Sequence, residues 1–197
     1  MEIGAFEEIQ KYFTDKNSIE FMVKYQMKTN ANGQEFSGTM TQYFKGADRI
    51  RMDSETMGVE SRVFMEETKY TMCSKQNNEW TCFEIDGDEA TSESDSVRND
   101  VEKNIKEWNI KKIASRTIAG ATATCYKTSK DDNSVEYCFS KEGVPLYIKT
   151  EGKESGVTFM SELTATYYSL SVSESVFEKP ASSQSMEDYL ANIPGYS

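Results

Sequence analysis

The chain has 197 residues, a formal net charge of −11 and 28% charged residues. That length suits one domain with short appendages, and the acidity excludes nucleic acid as a partner because it repels phosphate. There is no histidine, which removes Ser-His-Asp and Cys-His catalysis, His-containing zinc sites and the usual near-neutral proton shuttle. The carboxylates form no constellation and the glycines no phosphate loop, so the sequence reads as a non-enzyme without cofactor or metal. No run reaches the roughly 18 apolar residues of a membrane span.

Ile3 to Thr14 carries Ile3, Phe6, Ile9 and Phe13 near helical spacing, which predicts an amphipathic helix over 3–14. From Ser18 the period becomes two. Ile19, Phe21, Val23, Tyr25 and Met27 fall at every second position, with Glu20, Lys24, Gln26 and Lys28 between them, so one face of a strand is apolar. Asn30 to Gly33 supplies turn chemistry, and Phe36, Met40 and Phe44 continue the apolar side on a returning strand. The meander goes on through Arg49–Asp53, Thr56–Met65, Lys69–Ser74 and Trp80–Ile85. A sheet with one greasy face needs a cover. The ten methionines add a flexible, polarizable lining that adapts to variable shapes.

Four cysteines allow three pairings. Cys73 and Cys82 bracket the polar turn Ser74–Glu79, and Cys125 and Cys138 bracket Ser129–Ser134. Each pair therefore staples one hairpin as a disulfide. The rival is a tetrathiolate metal site, whose close cysteine pairs usually lie about two to four residues apart, nearer than here. Disulfides imply an oxidising, extracytoplasmic compartment. The start of the chain has no signal-peptide pattern, so a targeting or membrane-anchoring segment is expected to be missing from it.

Asp86–Ser96 is acidic and serine-rich and reads as a loop. Val97, Val101, Ile105 and Trp108 then form a narrow stripe at helical spacing, predicting a helix over 94–108. Strands resume at Lys112–Ile118, Ala121–Thr128, Val135–Ser140, Pro145–Glu151, Gly156–Thr166 and Tyr167–Val172. A short helix over 185–193, capped by Ser185, closes the chain. The total is about eleven strands.

Helix, long meander, mid-sheet helix, second meander and C-terminal exit together resemble the LolA-like lipoprotein-carrier half-barrels, including mycobacterial lipid-binding lipoproteins and RseB-type sensor domains. Tyr43–Arg51 looks like the family's aromatic strand, turn and Arg-bearing strand, Gly143–Ile148 like its G-x-P-L strand opening, and Val176–Pro180 like its closing Phe and Pro. The chain departs from the bacterial carriers in having Gly46 where they usually carry Pro, and in its two cysteine pairs.

The resemblance implies a single α+β domain over 1–197. Its mostly antiparallel sheet would be curved and unclosed, with helices over the concave face. It further implies an apolar cavity for a lipid or lipidated protein, lined by Phe21, Val23, Tyr25, Met27, Phe36, Met40, Phe44, Met52 and Met72. Phe6, Ile9, Phe13, Val97, Val101, Ile105 and Trp108 would form a lid. In the bacterial carriers a strand arginine bonds that lid, and Arg49 and Arg51 are the matching positions; either arginine could instead pair with Asp48 or Asp53. The alternative function is an extracytoplasmic protein-interaction module with a filled core and an envelope protein partner.

Overall fold

A computed structural model describes residues 5, 8, 20–46, 49–66, 69–86, 109–154 and 156–185. Six strands form a first meander: β1 (Glu20–Ala31), β2 (Gln34–Lys45), β3 (Arg49–Thr56), β4 (Val59–Glu66), β5 (Lys69–Gln76) and β6 (Glu79–Asp86). Five form a second: β7 (Asn109–Ile118), β8 (Ala121–Lys130), β9 (Asn133–Phe139), β10 (Pro145–Glu154) and β11 (Val157–Ser169). A three-residue β12 (Ser183–Ser185) ends the described chain. All twelve lie in one sheet of order β12-β6-β5-β4-β3-β2-β1-β11-β10-β9-β8-β7. The two meanders join where β1 pairs antiparallel with β11. The end strands β7 and β12 do not pair, so the curved sheet is unclosed.

Turn chemistry explains the short connections. Asn32-Gly33, Met57-Gly58, Asn77-Asn78 and Ala119-Gly120 all have positive φ at both positions, the backbone that two-residue hairpins require. The two cysteine pairs form the disulfides expected from the hairpins: Cys73–Cys82 joins β5 to β6 and Cys125–Cys138 joins β8 to β9. A tetrathiolate site is thereby excluded, since each sulfur is bonded to another.

Three expectations need correction. The stretch expected as two strands, 156–166 and 167–172, is the single strand β11. A register shift opposite Lys24 and Tyr25 accommodates Thr166 without ending the ladder. Secondly, a twelfth strand precedes the place where the C-terminal helix is expected: Ser183–Ser185 pairs in parallel with Cys82–Glu84 on the edge of β6. Twelve strands result, not eleven. Finally, β7 begins at Asn109 and β10 runs on to Glu154.

The expected helices fall almost wholly outside the described residues. Ala5 and Glu8 are helical, whereas the helix over 94–108, the loop over 87–96 and residues 186–193 lie outside. A helical cover on the concave face is therefore not established. Among the described residues, no helix is long and apolar enough to cross a membrane.

The core sits where the two meanders meet. Phe21, Val23 and Tyr25 of β1 pack with Ala165 of β11, Leu146 of β10, Val144 and the Cys125–Cys138 disulfide. The Tyr25 hydroxyl donates to the Pro145 carbonyl at 2.5 Å, and burial pushes its pKa above the ordinary tyrosine value.

Candidate functional site

Residues paired across a ladder point to the same face of the sheet, so register sorts every side chain of β1–β6. One cross-strand row runs Phe21, Phe44, Ile50, Met65, Tyr70. The next runs Val23, Gln42, Met52, Val63, Met72, Phe83. A third begins Tyr25, Met40 and passes into Ser54, Ser61, Ser74. Met27 faces Gly38 in the fourth row, and Phe36 stands beyond it opposite Thr29. All nine residues expected to line a ligand site therefore share one face.

That face is not a closed core. Phe21, Val23 and Tyr25 are buried, Met27, Met40, Phe44 and Met52 are half-buried, and Phe36 and Met72 are exposed. Phe21 and Phe44 stack at 4.5 Å between ring centres. A Cβ on Gly38 would lie 2.4 Å from the Glu55 carbonyl oxygen, backbone that cannot yield, so glycine is required there; the Met27 methyl packs over the same spot, 3.2 Å from that Cβ position. Gln42 is the polar member of the surface. Its amide lies 3.5 Å from the Met40 sulfur and 3.9 Å from that of Met52.

The same register carries across β11, β10 and β9 to β8, from Met27 through Leu163, Ile148 and Tyr137 to Tyr126, and then to Lys112 of β7. Here Glu8 arrives. One of its carboxylate oxygens accepts from the Tyr126 hydroxyl at 2.8 Å and from Lys112 at 2.7 Å. This N-terminal helical residue thus lies on the Met-bearing face. The expected lid residues Phe6, Ile9, Phe13, Val97, Val101, Ile105 and Trp108 are outside the described set.

The opposite face is charged, and the chain after β11 crosses it as a strap. Glu20 accepts from the Val172 backbone N–H at 2.6 Å. A 3-10 turn, Glu174–Phe177, lies over β3, and Ala181 packs against Phe64 and the Cys73–Cys82 disulfide before β12 joins β6. Arg51 and Arg49 serve this strap. Buried Arg51 forks onto both carboxylate oxygens of Asp53, at 2.6 and 2.5 Å, and donates to the Val176 carbonyl. Its guanidinium also lies 5.2 Å from the Tyr43 ring and 5.4 Å from that of Phe64. Arg49 bonds Glu174 at 2.6 Å and lies over buried Phe177 at 4.5 Å. Sequence proximity offered Asp48 or Asp53 to either arginine, and Arg51 takes Asp53. The strap, about 125 residues further on, left no local signal.

Two outcomes follow for the strap. Arg51→Ala removes a bidentate pair and the donor to Val176, and should cost about 3 kcal/mol, lowering the melting midpoint by roughly 6–12 °C. Arg51→Lys should recover less than half, because an ammonium cannot form the fork. Thermal melts of the two variants check this. Glu174, bonded first by Lys45 and then by Arg49, has its pKa held below the ordinary carboxylate value. A depressed folded pKa gives stability that is complete above the unfolded value and is lost as pH falls through the folded one. Protection of the 174–177 amides, taken relative to their intrinsic exchange rates, should therefore fall below about pH 4, where free glutamate protonates.

A shallow polar depression also lies between strands β2–β4 and β6, lined by Thr39, Thr41, Asp53, Glu55, Glu60, Arg62 and Trp80 among others. Arg62 covers the Trp80 ring at 4.3 Å. Among the described residues, no group of His, Cys, Asp or Glu side chains could hold a metal ion.

No protein-family model matches the sequence, and no curated protein sequence matches it significantly. Solved structures share its fold. MucB is 11% identical with a TM-score of 0.57 over 90% of this chain and 63% of MucB. The MucA/MucB complex of Pseudomonas aeruginosa aligns at 12% identity and TM-score 0.59, over 89% of this chain and 61% of the matched one. The lipoprotein LppX of Mycobacterium tuberculosis aligns at 10% identity and TM-score 0.52, over 88% of this chain and 99% of LppX. This chain spans about six-tenths of MucB. These are LolA-like folds.

Proposed function

We propose, from the LolA-like half-barrel fold, that this chain is a non-enzymatic extracytoplasmic protein that binds a lipid or lipidated ligand on its Met-bearing face. One observation carries the reading: apolar residues from six consecutive strands converge on one face, yet Met40, Met52, Val63, Met65 and Met72 stay partly exposed. Such a surface suits acyl chains, each buried methylene contributing about 0.8 kcal/mol, and methionine adapts to chains of different shape.

In this reading residues 1–197 form one domain. The helices over 3–14 and 94–108 cover the ligand, with Phe6, Ile9, Phe13, Val97, Val101, Ile105 and Trp108 facing it. Glu8 on Tyr126 and Lys112 supports an N-terminal cover on that side. The two disulfides and the lipoprotein LppX, a structural neighbour, support a location outside the cytoplasm, with the natural chain tethered to a membrane.

Mass spectrometry of organic extracts from the natively purified protein tests the reading. A co-purified lipid near one mole per mole, absent from a matched control protein, is expected. A clean extract, with no rise in melting temperature on adding lipids, would overturn it. It would favour a second reading, a protein-interaction module, which draws support from MucB having been solved in complex with MucA.

A further inference from the structure

Four described two-residue turns close hairpins at the same end of the sheet: 32–33, 57–58, 77–78 and 131–132. Each holds its first residue in the left-handed region, with φ of 53°, 53°, 49° and 52°. Three of those positions carry Asn32, Asn77 and Asp131, residues whose short polar side chains tolerate this backbone. The remaining one carries Met57. A bulky unbranched side chain is disfavoured there, and this one is 80% exposed, so the fold takes no compensating burial from it. The turn would close better with asparagine.

Met57 is also not alone. Val59, two residues on, is 55% exposed, and Phe36 on the neighbouring β2 is 39% exposed. Val59 and Phe36 share the Met-bearing face. Phe36 stands one cross-strand row beyond the Met27–Gly38 pair, so the rim is continuous with the candidate ligand surface. The charges at this end of the sheet are mostly acidic: Glu79 lies on the same face, and Glu35, Glu55 and Glu60 lie behind it on the opposite face with Lys28 and Lys75, of which Lys75 is bound to Glu60 at 2.8 Å. Such a collar opposes an anionic surface and leaves an uncharged one acceptable.

We propose that the Phe36–Met57–Val59 rim docks the protein on an uncharged lipid surface, from which the ligand of the Met-bearing face enters or leaves. The role in ligand exchange rests on the proposed function, whereas docking itself does not. Three apolar side chains give a shallow, reversible contact, as a protein that must leave the surface again requires.

The test is flotation of the full chain with phosphatidylcholine vesicles. Wild type should float, Met57→Asn at least fivefold less, and wild type less well on vesicles rich in phosphatidylglycerol. Met57→Asn should also melt higher, by about 2 °C, which separates loss of docking from loss of fold. Val59→Thr gives an independent second variant on a β-branched scaffold. Equal flotation of wild type and Met57→Asn overturns the proposal, as does stronger flotation on the anionic vesicles. A concentration-dependent dimer that Met57→Asn dissolves would also overturn it, making the rim a contact between copies. Binding of a water-soluble short-chain fluorescent fatty acid is read in parallel. If that binding is absent while flotation still depends on Met57, docking stands and the ligand reading fails. If Met57→Asn binds the fatty acid normally but floats poorly, both stand.

Discussion

Replacing all four cysteines by alanine should lower stability by about 5–6 kcal/mol and bring the protein close to unfolding at 37 °C. The hairpin loops close over sequence separations of 9 and 13 residues. Loop-closure entropy gives about 3 kcal/mol for each. A net stability of about 5–15 kcal/mol is usual for a folded domain, so the sum is a large share of it. The position of the staples adds to the effect. Cys73–Cys82 supports the edge hairpin on which β12 docks, and Cys125–Cys138 lies in the central core. Thermal melts of the two single-pair variants and the fourfold variant check this, with midpoints falling about 6–12 °C for each pair. A fourfold variant melting within about 3 °C of wild type would show that the staples are dispensable.

The second large effect concerns the ligand surface. Met52 and Met72 lie in one cross-strand row with Val63 between them, and Met72 is 48% exposed. Glutamate at Met72 should be tolerated by the free protein, since its carboxylate can reach water. A bound acyl chain would strip that water away. The double variant Met52→Glu/Met72→Glu should therefore lose at least about a hundredfold in lipid affinity, since an uncompensated polar group costs about 1–3 kcal/mol by mutational measures and a charge more. Met72→Leu, apolar and of similar volume, should bind within about threefold of wild type. Isothermal titration with a fatty acid reads both. Retained affinity in the double variant would place the ligand elsewhere.

What the sequence made legible was whatever local chemistry encodes. Alternation from Phe21 to Met27, the Asn-Gly turn at 32–33 and the cysteines flanking a polar turn each need only neighbours within about fifteen residues, and the structure has them all. Long-range pairings were hidden. Nothing in Ser183-Gln184-Ser185 marks a strand; three polar residues become one because the edge of β6 offers them hydrogen bonds. The extra residue at Thr166 was read as a strand break because a bulge and a break disturb the alternation in the same way. Asp48 and Asp53 were both within reach of either arginine in the sequence, and Arg51 takes Asp53, but its bond to Val176 depends on how the C-terminal strap folds back.

The nine expected lining residues fall on one face, but Ile50, Val63, Met65, Tyr70 and Phe83 share it as well. The alternation in Arg49–Asp53 and Val59–Glu66 carried that signal for the first three. Met57 was noticed only as one methionine among many. Its turn position acquires meaning from three sister turns whose first residues share its backbone and not its chemistry.

The central claim is that an acyl chain lies on the Met-bearing face. A fatty acid carrying a diazirine along its chain, photolysed in complex with the protein and mapped by peptide mass spectrometry, tests it most directly. The account predicts adducts on the peptides holding Phe36–Phe44, Ile50–Met52 and Val63–Met72, at side chains of that face, competed away by unlabelled fatty acid. Adducts confined to the strap and the opposite face, or labelling that competitor does not reduce, would contradict it.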